Sequence, residues 1–138
     1  MHARFYAPAA HLVGDVVSLP DDEAEHLTRV LRLKPGDEIG LFNGRGGEFD
    51  AHVEAVDRHG VRARVGAVRR PAPEPRVAVT LALAVLKGDK MDDVVRDAVM
   101  LGAARVQPMV TERAEVTRAS LLRRHRRERW ERIAVASA

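Results

Sequence analysis

Cysteine is absent from the 138 residues. That excludes disulfides, thiolate metal sites and cysteine nucleophiles. No apolar run approaches the length of a membrane span, and the N-terminal MHARFYAPAAH has no continuous apolar core of the signal-peptide kind. There is no GxxxxGKS loop and no GxGxxG after a strand, so the usual phosphate-binding glycine loops are missing. The six histidines, at positions 2, 11, 26, 52, 59 and 125, show no close metal-ligand spacing. No serine, histidine and acid arrangement stands out. A soluble cytoplasmic protein without a metal centre is the expectation.

What is present is unevenly charged. Residues 1–75 carry 10 Lys and Arg against 12 Asp and Glu, a net of −2; residues 76–138 carry 13 against 8, a net of +5. Most of the excess lies in LLRRHRRERWER, Leu121 to Arg132. Such a run is either a face for a polyanion such as RNA or a solvated helix face.

The first half reads as short strands with one helix. After Pro20, Asp21–Leu31 has helical spacing, with Ala24, Leu27, Val30 and Leu31 on one side. Acids open that segment and Arg29 and Arg32 close it, in keeping with the helix dipole. Lys34-Pro35-Gly36-Asp37 is a turn, Glu38–Phe42 a strand, and Asn43–Gly47 a glycine-rich hairpin turn. Phe49, Ala51, Val53 and Ala55 alternate with polar residues. After a turn at Asp57–Gly60, Val61, Ala63, Val65 and Ala67 continue the pattern with Arg62 and Arg64 opposite. Closely spaced hairpins of this kind predict a small, partly closed β-barrel over residues 1–70. RRPAPEP, Arg69–Pro75, is too rich in proline for a central strand or helix interior; the linker proper is placed at 71–75.

The second half, 76–138, changes character. Val77–Leu86 is nearly continuous and apolar, as in a strand buried on both faces. Met91–Leu101 has helical periodicity in Met91, Val94, Val95, Ala98 and Val99, with Asp89 as its expected cap and Gly102 as its stop. Arg105–Val110 is the next strand, and Leu121–Ala136 reads as one helix burying Trp130, Ile133 and Ala134. This is most of a βαβ unit. Two parallel strands make a poor domain alone, and the chain stops within helical sequence, so an incomplete α/β domain is expected.

In open α/β sheets, ligands bind beyond the carboxyl ends of the strands. Two loops hold that position here: Lys87-Gly88-Asp89-Lys90 and Thr111-Glu112-Arg113. Lys87, Lys90 and Arg113 could meet phosphates there, or they could be solvated. His26 is either a contact residue or a partly buried structural histidine.

Taken in order, these segments resemble the RsmE family, bacterial enzymes that methylate N3 of a uridine in 16S ribosomal RNA. In the first half the resemblance lies in His26, Val30-Leu31-Arg32 and KPGDEIGLFNGRGGEFDA, which are similar to that family's PUA-like RNA-binding barrel. In the second it lies in KGDKMD, Leu101-Gly102, TERAEV and RWERIAVASA, similar to the start of its SPOUT (trefoil-knot) methyltransferase domain. The resemblance implies S-adenosylmethionine as methyl donor, the 16S rRNA or small ribosomal subunit as partner, and a homodimer when complete. It implies RNA contacts at Arg4, Arg32 and Lys34 in the first half and at Lys87, Lys90 and Arg113 in the second. The family's GPEGG-type cofactor loop does not occur in these residues, so no residue here is assigned to the cofactor, which is expected beyond Ala138, and no catalytic residue is assigned. Asp97 and Met100 depart from the lysine and glutamate common in the family. The 138 residues alone are expected to be inactive. A stand-alone RNA-binding module and a structural or assembly fragment are the alternatives.

Overall fold

A computed structural model describes residues 3–71, 73, 75–123 and 125–138. The chain divides into two compact units, Met1–Ala72 and Pro73–Ala138. Of the proline-rich segment between them, Ala72 and Glu74 lie outside the described residues.

Unit 1 is a mixed five-stranded sheet in the order β1-β3-β4-β5-β2. Its strands are β1 (Arg4–Tyr6), β2 (Val16–Ser18), β3 (Glu38–Phe42), β4 (Glu48–Asp57) and β5 (Gly60–Arg69). β1 runs parallel to β3, and the other neighbours are antiparallel. The period-two pattern decides which side is inside. Phe49, Ala51, Val53, Val61, Ala63 and Val65 are all buried, together with Phe5, Val17, Leu27, Ile39 and Leu41. Ala67 does not continue the row and is exposed. A register shift between Phe49 and Ala51 brings the Asp50 carbonyl over Gly66, where a Cβ would come within 2.9 Å of that oxygen. The bulge therefore needs glycine and turns the strand beyond it. The glycine-rich turn between β3 and β4 is organised by buried Asn43, whose side chain donates to the Ala10 carbonyl at 3.1 Å. Its Oδ1 accepts the N–H groups of Arg45 and Gly47 at 2.8 and 3.0 Å.

The helix after Pro20 is not uniform. α1 spans Asp21–Glu25, and His26–Val30 forms a π-helical turn, with the Leu31 N–H donating to His26 O at 3.1 Å, five residues back. The wider turn breaks the 3.6-residue period. Ala24 and Leu27 are buried as expected, but Val30 is 64 % exposed and Leu31 40 %. Their expected burial is thus corrected: the π turn rotates them out of the apolar stripe.

Unit 2 contains two parallel strands, β6 (Thr80–Ala84) and β7 (Arg105–Met109), in register from Thr80↔Arg105 to Ala84↔Met109. Between them runs α2 (Lys90–Met100), which buries Met91, Val95 and Ala98 and is followed by Gly102 at φ +81°. Two expectations are corrected here. β6 is shorter than the apolar run and not buried on both faces. Val77 and Val79 are exposed, because β7 is the only strand paired with β6 among the described residues. The C-terminal helix is two helices, α3 (Arg118–Arg123) and α4 (Arg126–Ser137), broken where His125 takes a left-handed φ of 44°. Trp130, Ile133 and Ala134 are half-buried rather than buried: α4 packs mainly against α2, and Trp130 and Ala134 line an open cavity with Val106 and Pro108 of β7.

Candidate nucleic-acid interface

Arginines are plentiful on the outer face of the unit 1 sheet, but cross-strand acids occupy them. Arg62 pairs with Asp57 at 3.2 Å, Arg64 with Glu54 at 2.9 Å and Arg69 with Asp50 at 2.5 Å. Arg4 is similarly engaged: its guanidinium meets Glu48 and lies 5.0 Å from the centre of the Phe42 ring. These contacts sit at the carboxyl end of β3. Arg32 and Lys34 precede the other end, so the structure does not gather the three predicted cations of this unit into one cluster.

Arg32 and Lys34 are exposed, and their side chains form no ion pair among the described residues. Their backbone is fixed. The Leu33 N–H donates to Leu27 O at 3.1 Å, closing the π turn. The Lys34 N–H donates to Asp37 Oδ2 at 2.7 Å, and the Gly36 N–H to Val53 O at 2.8 Å. Arg32 itself has φ +56°, a position that glycine normally fills at a helix end. Left-handed backbone costs an L residue about 1–2 kcal/mol, and such outliers cluster at functional sites. Arg32→Gly is therefore expected to raise the stability of unit 1 by about 1 kcal/mol while removing an exposed cation. Thermal denaturation reads the first effect, and a lower midpoint would show that the left-handed backbone is not strained.

His26 is exposed rather than partly buried, a correction to its structural reading. Its ring lies edge-on to Phe5 with centroids 6.1 Å apart. Glu23, one turn earlier, accepts the Tyr6 N–H at 3.2 Å. Burial pushes its carboxyl above the ordinary value, and the Tyr6 N–H and the nearby His26 partly counter that rise.

In unit 2 the structure does bring the two predicted loops together. Both follow the carboxyl ends of the parallel strands. The Val85 N–H donates to Met109 O at 2.9 Å, and Lys87 Nζ reaches Glu115 at 3.0 Å. Lys90 and Arg113 are exposed and without an ion pair among the described residues. Asp89 does not cap α2: no side-chain cap bond forms, and its carboxylate pairs instead with Arg129 at 3.1 Å. Asp92 receives both Arg129 and, at 3.1 Å, the indole N–H of Trp130.

The basic run is therefore not a uniform face. Arg129 is paired inward, Arg127 pairs with Glu131 at 2.7 Å, and Arg126 Nη1 is buried with no hydrogen-bond partner among the described residues. Arg124 lies outside the described residues. Asp92, Glu115, Arg129 and Trp130 lie within the KGDKMD, TERAEV and RWERIAVASA segments, but their pairings carried no short-range signal, because each finds its partner in a segment far along the chain.

Residues 19–66 match the family of RNA methyltransferase PUA domains, and residues 73–138 match the family of RNA methyltransferase domains. A PUA domain followed by methyltransferase sequence on a mixed α/β fold is the architecture of an RNA methyltransferase. The chain is 31 % identical over 140 residues to a Synechocystis protein named ribosomal RNA small subunit methyltransferase E, covering all of this chain and 44 % of that one. It superposes on the enzyme of that name from Neisseria gonorrhoeae, solved bound to S-adenosyl methionine, with TM-score 0.89 and 31 % identity over 99 % of this chain and 56 % of that one. A putative methyltransferase from Legionella pneumophila, solved with bound S-adenosyl methionine, gives TM-score 0.91 at 29 % identity, over 99 % and 57 % of the two chains. The chain belongs to the RsmE family, and it spans about half the length of the curated relatives it matches.

Proposed function

We propose that these residues form the RNA-facing part of an S-adenosylmethionine-dependent methyltransferase acting on N3 of a uridine in 16S ribosomal RNA, within the small ribosomal subunit of the cytoplasm. In this reading unit 1 is a PUA-like small barrel and unit 2 belongs to a SPOUT domain of the knotted, homodimeric kind. The observation that carries the reading is the match of both units, in order, to the two domains of one enzyme family.

S-adenosylmethionine supplies the methyl group when bound. The residues present do not fit it. The loops at the strand ends carry Lys87, Lys90 and Arg113, whose charges repel a sulfonium, and no glycine-rich loop follows either strand. These residues suit the substrate instead. Exposed Arg32, Lys34, Lys90 and Arg113 can each neutralise a phosphate, and Lys87 can do so by exchanging Glu115 for one. Such contacts fix the position of an RNA strand without reading its sequence. The uracil N3 proton has a pKa well above neutral, so its removal needs a base or anion stabilisation. These cations orient the nucleotide for that step.

Binding of a 16S rRNA transcript, followed by fluorescence anisotropy across a salt series, tests the reading. Affinity is expected to fall steeply with salt. Arg32→Ala with Lys34→Ala is expected to weaken binding and to reduce the slope of log K on log salt by about 1.5, at roughly 0.7–0.9 per lost phosphate contact. An unchanged slope overturns the role of this pair. Calorimetric titration of S-adenosylmethionine is expected to show no one-to-one binding to the 138 residues; clear binding would move the cofactor site into the loops at Lys87–Lys90 and Thr111–Arg113.

A further inference from the structure

The loop Lys87–Lys90 has few restraints of its own. Gly88 is left-handed (φ +65°), with open space where a Cβ would stand, and Asp89 is joined to α2 only through its backbone carbonyl, which accepts the Asp92 N–H at 2.9 Å and the Asp93 N–H at 3.4 Å, with no side-chain cap bond. Besides the exposed ion pair of Lys87 with Glu115 at 3.0 Å, its side-chain restraint comes from α4. One Arg129 nitrogen, Nη2, meets both Asp89 Oδ1, at 3.1 Å, and Asp92 Oδ2. The Asp92 side chain is 14 % exposed and also accepts the Trp130 indole N–H at 3.1 Å, whereas that of Asp89 is 83 % exposed. A single guanidinium thus links a half-buried, doubly bonded anchor to an exposed residue that lies between the two lysines.

We propose that Arg129 and Trp130 are positioning residues that preset the Lys87–Lys90 loop for phosphate, with Asp89 as tether rather than helix cap. This rests on the RNA-facing reading of Lys87 and Lys90. The physical gain is preorganisation. A free glycine-containing loop must be ordered when RNA binds, and that cost is subtracted from affinity. A loop already held by Arg129 loses less. Asp89 and Asp92 also neutralise Arg129, so α4 contributes geometry to the loop rather than another phosphate contact.

The sign of one substitution separates this role from plain electrostatics. Removing an acid flanked by lysines should tighten binding to a polyanion if charge alone mattered. If Asp89 is a tether, Asp89→Ala is expected to bind a 16S rRNA transcript about two- to fivefold more weakly at low salt, the range an exposed ion pair can supply. Its thermal midpoint should hold, because the Asp92 anchor remains. Lys87→Ala with Lys90→Ala is the reference variant, and Asp89→Ala added to it is expected to cause no further loss. Tighter or unchanged binding by Asp89→Ala, or full additivity with the lysine pair, overturns the positioning role. No loss from the lysine pair itself overturns the RNA-facing reading of the loop, a separate result.

Discussion

Phe5→Ala is expected to cost unit 1 about 3–5 kcal/mol, the range for deleting a fully buried aromatic ring. Phe5 has no exposed surface, and it belongs to a strand of only three residues, Arg4–Tyr6, that pairs on one side with β3. Neighbours cannot collapse into its volume without moving the sheet, since Leu27, Ile39 and Leu41 are themselves buried in the same cluster. Small domains are stable by about 5–15 kcal/mol, so much of the margin disappears. Urea denaturation followed by far-ultraviolet circular dichroism checks this. A loss below about 1 kcal/mol would show that β1 is an appendage rather than a member of the sheet.

The second large effect is expected in unit 2. Asp92→Ala leaves the Trp130 indole N–H without its acceptor and deprives Arg129 of the less exposed of its two carboxylate partners. Leaving the half-buried indole N–H unpaired costs about 1–2 kcal/mol, and Arg129, 54 % exposed and still paired with Asp89, adds little. The apolar core of the unit is small, with Val85, Met91, Val95, Ala98 and Val116 its buried apolar members among the described residues, so the polar anchor carries a large share of the attachment of α4 to α2. Trp130 is the one tryptophan of the chain, and its emission reports the attachment directly. A red shift and an earlier unfolding midpoint are expected. Asp92→Asn, which keeps an acceptor for the indole, should fall between the two. Unchanged emission in Asp92→Ala would mean that apolar contacts alone seat α4.

Where local chemistry decides conformation, the sequence was readable. The alternation through Phe49, Ala51 and Val53 named the inner face of β4, and Gly102 marked the end of α2, because period-two burial and left-handed backbone leave short-range signatures. The π turn was not readable. His26–Val30 has good helical periodicity, and the extra residue shows only in the hydrogen bond from Leu31 to His26. Nor did the basic run announce its uses. Arg129 looks like its neighbours until folding sets it beside Asp89 and Asp92. The candidate site divides in the same way. Loops after parallel strands could be named from position, and the ion pair of Lys87 with Glu115 brings two of them together. Arg4, Arg32 and Lys34 share one unit without forming one cluster, because they belong to opposite ends of β3.

The order of strands in unit 1 also bears on how the chain acquires its shape in time. Asp57 pairs with Gly60 across a two-residue turn, whereas Arg4 must find Gly40 and Val17 must find Ala63. Nearby partners meet first, since closing a long loop costs chain entropy before any contact repays it. The β4–β5 hairpin is therefore expected to form early, with β1 and β2 closing the two edges late. During synthesis the N-terminal strand leaves the ribosome before its partner exists, so Phe5 travels exposed until β3 has been made. Pulse-labelling hydrogen exchange during refolding would show it: amides of β4 and β5 should be protected ahead of those of β1, and the reverse order would place the nucleus at the chain's beginning.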